Sequence, residues 1–200
     1  MKGIFKYVII LNVCLIETTL FARVNSDSIF SSQVNSNSRF ISFDIAGYMF
    51  NSTHSGSWQP NESYRLGYIQ KLDNSVDVRL FAEYYQFDYD NSNGMFYQDY
   101  SYGKRYDYAV YPAIGVFDIV EIGLGLYYTT QDKVIHRSSF GPQLSFDPAV
   151  KKVGILLQFG IGGSFQIIGP VGCSVGMMWR NTAFGGDNYF GLRAGMRVSI

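Results

Sequence analysis

The chain has 200 residues, with 16 basic and 16 acidic side chains and a formal net charge of zero. That balance excludes a partner held by bulk electrostatics, nucleic acid above all, while the length suffices for one domain with its own core. Tyrosine and phenylalanine (16 each) and glycine (21) are abundant. Beyond the N-terminus, however, no apolar run approaches the roughly 20 residues of a membrane helix.

The N-terminus reads as an export signal. Lys2 and Lys6 precede the mostly apolar run Tyr7 to Ile16, broken by Asn12 and followed by ETTLFARVNS. A charged start, an apolar middle and a small-residue end are the parts of a secretory signal peptide. The expected segment is 1–22, with cleavage after Ala22 or as late as Ser26. An uncleaved anchor helix is the alternative, disfavoured by Glu17. Val13 before Cys14 is too bulky for a lipoprotein site. Cys173 is then the only cysteine of the mature chain, and no internal disulfide can form. Residues 23–38, rich in Ser and Asn, read as a flexible lead.

From Arg39 onward a period of two dominates, the spacing of strands whose faces meet different environments. The first predicted strand, about 39–50, puts Ile41, Phe43, Ile45 and Met49 opposite Ser42, Asp44 and Tyr48. After the loop NSTHSGSWQPNE, the second (63–72) sets Tyr64, Leu66 and Tyr68 against Arg65. The third (76–88) sets Val78, Leu80, Ala82 and Tyr84 against Asp77, Arg79, Phe81 and Glu83. A tyrosine-rich loop is expected over 89–104. The fourth strand (105–117) opposes Tyr106, Tyr108, Val110, Ile114 and Val116 to Arg105, Asp107 and Gly115. FDIVE makes a tight reversal. The fifth (119–130) opposes Val120, Ile122, Leu124, Leu126 and Tyr128 to Glu121, Gly123, Gly125 and Tyr127.

A connection over 131–152 leads to the sixth strand (153–167), with Ile155, Leu157, Phe159 and Ile161 facing away from Gln158, Gly160 and Ser164. The seventh (171–180) alternates Val171, Cys173, Val175, Met177 and Trp179 with Ser174, Gly176 and Arg180. The eighth, YFGLRAGMRVSI, alternates without a break: one face is wholly apolar and the other carries Arg193 and Arg197.

Three regularities turn these strands into an architecture. Charge falls on the face opposite the apolar one, as lipid demands, since a charge on the lipid face at mid-bilayer costs on the order of 2–4 kcal/mol. Connections alternate long and short, the rhythm of outer loops and periplasmic turns. Tyr64, Tyr84, Tyr106, Tyr128 and Trp179 gather toward strand ends near the long loops, where amphipathic rings meet headgroups. The predicted fold is all-β: a closed antiparallel up-and-down transmembrane barrel of eight strands over 39–200. Its interior is just wide enough to be filled by side chains. The inward charges are Arg65, Arg79, Arg180, Arg193 and Arg197 with Asp44, Asp77, Glu83, Asp107 and Glu121, expected to pair because unpaired buried charge is costly.

The pattern resembles the small outer-membrane barrels of diderm bacteria: the OmpA transmembrane domain, OmpX and OmpW. The resemblance covers roughly 39–200 and is most specific at the end, where Arg193-x-Gly195-x-x-Val198-x-Ile200 is similar to the signal read by the barrel assembly machinery. Ile200 departs from the usual terminal Phe or Trp. The resemblance implies a location in the outer membrane, with its lipid and the assembly machinery as partners.

Two features strain the scheme. Pro112 falls in mid-strand on the lipid face, which calls for a bulge; Gly162-Gly163 suggests another. FGPQLSFDP, 140–148, alternates like a strand inside a predicted loop. It is read as extending an outer hairpin, with a ninth strand as the alternative.

Motifs of soluble catalysis are absent: no phosphate-cradling glycine loop, CxxC, HExxH or GxSxG. No cofactor or metal is expected. His54 lies in the first loop. His136 and Ser138 share an H-x-S spacing that resembles lipid A-modifying barrel enzymes, but no matching Glu follows, and Ser139 stands where those deacylases resemble H-x-S-N. The chain is therefore read as a non-enzymatic barrel with a structural or surface-interaction role through its extracellular loops. Tyr97, Tyr100 and Tyr102 form the candidate contact surface for an extracellular ligand or host molecule. A small porin-like channel is the alternative, opposed by the bulk of inward Tyr48, Phe81, Tyr111 and Tyr127.

Overall fold

The computed structural model describes residues 38–52, 58–90, 100–137, 144–183 and 187–200. The expected signal peptide, most of the flexible lead, His54, Tyr97 and Ser138 lie outside the described residues. Among the described residues, ten strands form one antiparallel sheet: β1 (Arg39–Ser52), β2 (Trp58–Lys71), β3 (Val76–Asp90), β4 (Tyr100–Val116), β5 (Val120–Gln131), β6 (Val134–Arg137), β7 (Leu144–Asp147), β8 (Val150–Ile168), β9 (Val171–Ala183) and β10 (Asp187–Ser199). Eight of them close a ring in the order β3-β2-β1-β10-β9-β8-β5-β4, sealed by β3 pairing with β4. The fold is the closed eight-stranded barrel that the period-two pattern predicts. The first and last strands, β1 and β10, are neighbours in the ring, with Phe43 opposite Met196 and Asp44 opposite Gly195.

The remaining two strands form a hairpin beyond the ring. β6 pairs with the start of β4, Tyr100 opposite Arg137, and β7 pairs only with β6 among the described residues. The segment 144–147 is thus a strand of an outer hairpin and leaves the ring at eight.

The stagger follows from the register. From Tyr84, partners run through Tyr64, Ile45, Ala194 and Val175 to Gly163 on β8. The other way they run through Tyr108 and Tyr128 to Val153 on the same strand. The circuit closes ten residues out of step (163 − 153), the shear that a tilted, closed sheet requires.

Three local expectations need correction. Pro112 produces no bulge: β4 and β5 stop pairing after Val110–Leu126 and resume at Ala113–Gly123 in the same register, while Pro112 still lies opposite Leu80 of β3. A proline removes one donor, and a lapse in a single ladder accommodates that without an inserted residue. The β8–β9 register also runs unbroken through Gly162 and Gly163; its shift lies between Gln166 and Ile168. Further shifts occur at Tyr48–Phe50 in β1 and Pro60–Ser63 in β2. Finally, much of the predicted loop structure is strand. Residues 58–62 belong to β2, 89–90 to β3 and 100–104 to β4.

Candidate functional site

Alternation along each strand sends one set of side chains into the lumen and the other outward. Leu66, Leu80, Val110, Ile122, Leu124 and Leu126 are all exposed, Leu124 by 59%. An aliphatic surface of this extent around a whole barrel is unlike that of a soluble domain. Asp44, Arg65, Asp77, Arg79, Glu83, Asp107, Glu121, Arg180, Arg193 and Arg197 are all buried, and they come together in the lumen. Arg105 is buried beside Asp107, and Asp118 turns inward from the β4–β5 turn. With these two, six carboxylates face six guanidiniums. A balanced interior is what a dry, narrow lumen needs.

The charges are stacked in levels. At the short-turn end, Asp118 accepts from Arg197 Nη1 at 2.8 Å, Arg79 Nη2 at 3.2 Å and the Ser164 hydroxyl at 2.5 Å, with Lys71 Nζ at 3.7 Å. Asp77 accepts from Nε and the same Nη2 of Arg79. One turn residue thus ties β2, β3, β8 and β10 across the mouth. Above it, Glu121 receives Arg65 at 2.7 Å, Arg193 at 2.8 Å and Arg79 at 2.9 Å. Arg65 also grips Asp44 through Nε at 2.8 Å and Nη2 at 2.6 Å, and the Ser174 hydroxyl donates to the free oxygen of Asp44 at 2.9 Å. The Tyr111 hydroxyl accepts from Arg65 at 3.2 Å, and the Arg65 guanidinium lies 3.9 Å from the centre of the Phe81 ring.

Two glycines make room for these pairs. A Cβ on Gly195 would fall on the Asp44 carboxylate, and one on Gly115 would fall between Asp77 and Arg79.

Higher still, Arg180 stacks 3.9 Å over Tyr85, opposite Gln158 in register, and Glu83 lies in the charge field of Arg180 and Arg65. Phe81, Ala109, Tyr111, Ala113, Tyr127 and Leu156 pack as one apolar wall at mid-height. Near the long-loop end, Arg105 binds Asp107 through two parallel bonds of 3.0 Å, and Thr129 donates to Asp107 at 2.7 Å. The mouth there is capped by Ala46, Trp58, Tyr85, Phe87, Val134, Met178 and Tyr189, with the Phe87 and Tyr189 rings 5.1 Å apart. The lumen is therefore occupied by side chains at every level described.

The other candidate residues are scattered. Tyr102 is exposed on the outer part of β4, and the backbone of Tyr100 pairs with Arg137. Neither belongs to a loop, and Tyr97 lies outside the described residues. His136 sits on β6 between Ser101 and Ser145 in register. Of the assembly-signal residues, Arg193 points inward and Gly195 faces Asp44, while Val198 and Ile200 face outward; the Ile200 amide donates to the Arg39 carbonyl at 3.0 Å. Asp118 carries no mark of its role in the sequence pattern. No periodicity marks a turn residue, and only its chemistry, a carboxylate between two arginine-bearing hairpins, could have found it. Outward rings form a belt, Tyr64, Tyr84, Tyr108 and Tyr128 following one another across four strands with centroids 5.4 to 6.4 Å apart.

No protein-family model matches the chain, and no curated protein does. Solved structures of similar shape include Ail, the attachment invasion locus protein of Yersinia pestis, in complex with the heparin analogue sucrose octasulfate. It is 14% identical with a TM-score of 0.48, covering 82% of this chain and 99% of that one. A major outer membrane protein of Thermus thermophilus is 8% identical with a TM-score of 0.48, covering 81% and 99%. Neisserial surface protein A is 16% identical with a TM-score of 0.41, covering 80% and 96%. These are likenesses of shape; the barrel itself rests on the closed ring of strands and their register.

Proposed function

We infer that the chain is an integral outer-membrane β-barrel, a rigid scaffold whose long-loop end does its work at the cell surface. The observation that carries this reading is the sorting of side chains. The exterior is aliphatic with a tyrosine belt toward one end, and eleven ionisable side chains are buried inside with Asp118 at the short-turn mouth. Water would favour the opposite sorting, and acyl chains require this one. Export by the 1–22 signal, with cleavage as late as 26, and insertion through the Arg193, Gly195, Val198 and Ile200 signal belong to the same reading. The contact surface for an extracellular ligand is the outer continuation of the sheet, β3–β4 and β6–β7, with exposed Tyr102 and Phe146. Loops and edges on a fixed scaffold are where such contacts concentrate.

Scaffold is preferred to channel because Arg65, Glu121, Phe81, Tyr111 and Tyr127 cross the lumen at mid-height. Scaffold is preferred to enzyme because, among the described residues, the register partners of His136 are Ser101 and Ser145 and neither is a carboxylate. Planar-bilayer recording of the refolded protein tests the first preference: silence is expected, and reproducible single-channel steps would favour the pore. Protease shaving of intact cells tests the orientation, with cleavage expected in 91–99 and none in the short turns.

A further inference from the structure

The short turns are not alike. In the β2–β3 turn, Asp73 faces out and spends its carboxylate on the turn's own backbone, accepting from the amides of Ser75 at 2.6 Å and Val76 at 2.7 Å. In the β4–β5 turn, Asp118 faces in and bonds Arg79, Arg197 and Ser164 on other strands. Both Phe117 and Asp118 hold left-handed backbone, with φ of 52° and 58°. Glycine or asparagine normally fills such positions, and a bulky ring there is unusual. The conformation persists because the surroundings fix it: the Phe117 amide donates to Ser75 and the Gly162 amide to the Ile119 carbonyl. Its result is a complete division of polarity. Phe117 is 64% exposed and Ile119 54% exposed, both outward, while Asp118 turns the other way, a quarter exposed and bonded across the lumen mouth.

The height of the turn gives the division a meaning. Val116 and Val120, the last and first residues of β4 and β5, lie eight residues below Tyr108 and Tyr128, and the turn residues Phe117 and Ile119 stand one further on, at nine. At about 3.3 Å per residue and a tilt of about 40°, nine residues descend about 23 Å. The apolar band of an outer-membrane barrel is about 25 Å tall. Measured from the tyrosine belt, the turn ends inside that band.

We propose that the Phe117–Ile119 turn is a lipid anchor, with Phe117 and Ile119 immersed in the acyl chains of the short-turn leaflet and Asp118 withdrawn into the barrel to make that immersion tolerable. The occupant is lipid because the turn's outward surface continues the aliphatic band of β4 and β5 without a polar break, through Ile114, Val116, Val120 and Ile122. The inference rests on the membrane-spanning reading above.

The test is depth-resolved fluorescence. In a Trp58→Phe, Trp179→Phe background, single tryptophans are placed by Phe117→Trp, by Leu124→Trp at mid-band and by Lys133→Trp beyond the long-loop rim. Each protein is refolded into phosphatidylcholine vesicles with or without bromine on the acyl chains, and folding is checked by heat-dependent gel mobility. The expected result is that Phe117→Trp loses most of its emission to bromine, as Leu124→Trp does, while Lys133→Trp keeps its own. If Leu124→Trp is quenched and Phe117→Trp behaves like Lys133→Trp, this inference is overturned and the barrel reading survives. If Leu124→Trp itself is unquenched, the barrel reading falls first. Should the tryptophan background not refold, nitroxides on Phe117→Cys, Leu124→Cys and Lys133→Cys in a Cys14→Ser, Cys173→Ser chain give the same comparison. Oxygen accessibility at 117 must then exceed that of a water-soluble nickel chelate.

Discussion

Replacing Glu121 by leucine removes the carboxylate on which Arg65, Arg193 and Arg79 converge at 2.7, 2.8 and 2.9 Å. The three guanidiniums do not suffer equally. Arg65 keeps Asp44, and Arg79 keeps Asp77 and Asp118. Arg193, 5% exposed, keeps none of the carboxylate bonds found among the described residues. The loss is therefore one buried guanidinium left without a bonded carboxylate, in the field of Asp44, and not three; it costs up to about 3–5 kcal/mol. With a urea slope of about 2 kcal/mol per molar, the unfolding midpoint should fall by up to about 1.5–2.5 M. The assay is urea titration of the vesicle-refolded barrel, followed by the heat-dependent shift on a gel. Glu121→Gln, which keeps an acceptor, should lose less, about 1–3 kcal/mol. Adding Arg193→Leu to Glu121→Leu should restore part of the loss, because the stranded charge is gone. A Glu121→Leu midpoint within about 0.3 M of the parent would refute the reasoning, since a lumen able to hydrate Arg193 is not filled as described.

Three further outcomes follow from the same geometry. Gly195→Ala should cost about 1–3 kcal/mol, because its methyl meets the Asp44 carboxylate. Gly163→Ala, with nothing within 4 Å of the new methyl, should be close to neutral; equal urea midpoints for the two variants would contradict the packing. His136→Ala should leave the acyl chains of extracted lipid A unchanged by mass spectrometry, and a changed pattern would revive the enzyme reading.

The sequence made the faces legible wherever the two sides of a strand meet opposite media. On the membrane-spanning reading, lipid admits only apolar groups within the band, so Val78, Leu80 and Ala82 alternate cleanly with Asp77, Arg79 and Phe81. Beyond the band the outside is water, both faces tolerate polar residues, and the alternation disappears. That is why 58–62 and 100–104 read as loop although they continue β2 and β4. Bulges were illegible for a different reason. Proline and glycine report what one residue cannot do, whereas a register shift depends on which neighbour can yield. At Pro112 the β4–β5 ladder lapses, while the pairing with β3 carries on. Asp118 escaped because its role depends on Arg79 and Arg197, which arrive from distant strands. The lumen charges were readable one at a time, but their partners required the ten-residue stagger that only a closed register supplies.

The central claim, that acyl chains and not water cover the outer face, meets its most direct test at Leu124, in mid-strand and 59% exposed. Leu124→Arg, compared with the parent by urea unfolding in vesicles, should lose about 2–4 kcal/mol, the toll of a cation at the bilayer midplane. A change within about 0.5 kcal/mol, the usual result of a substitution on a water-exposed surface, would contradict the account.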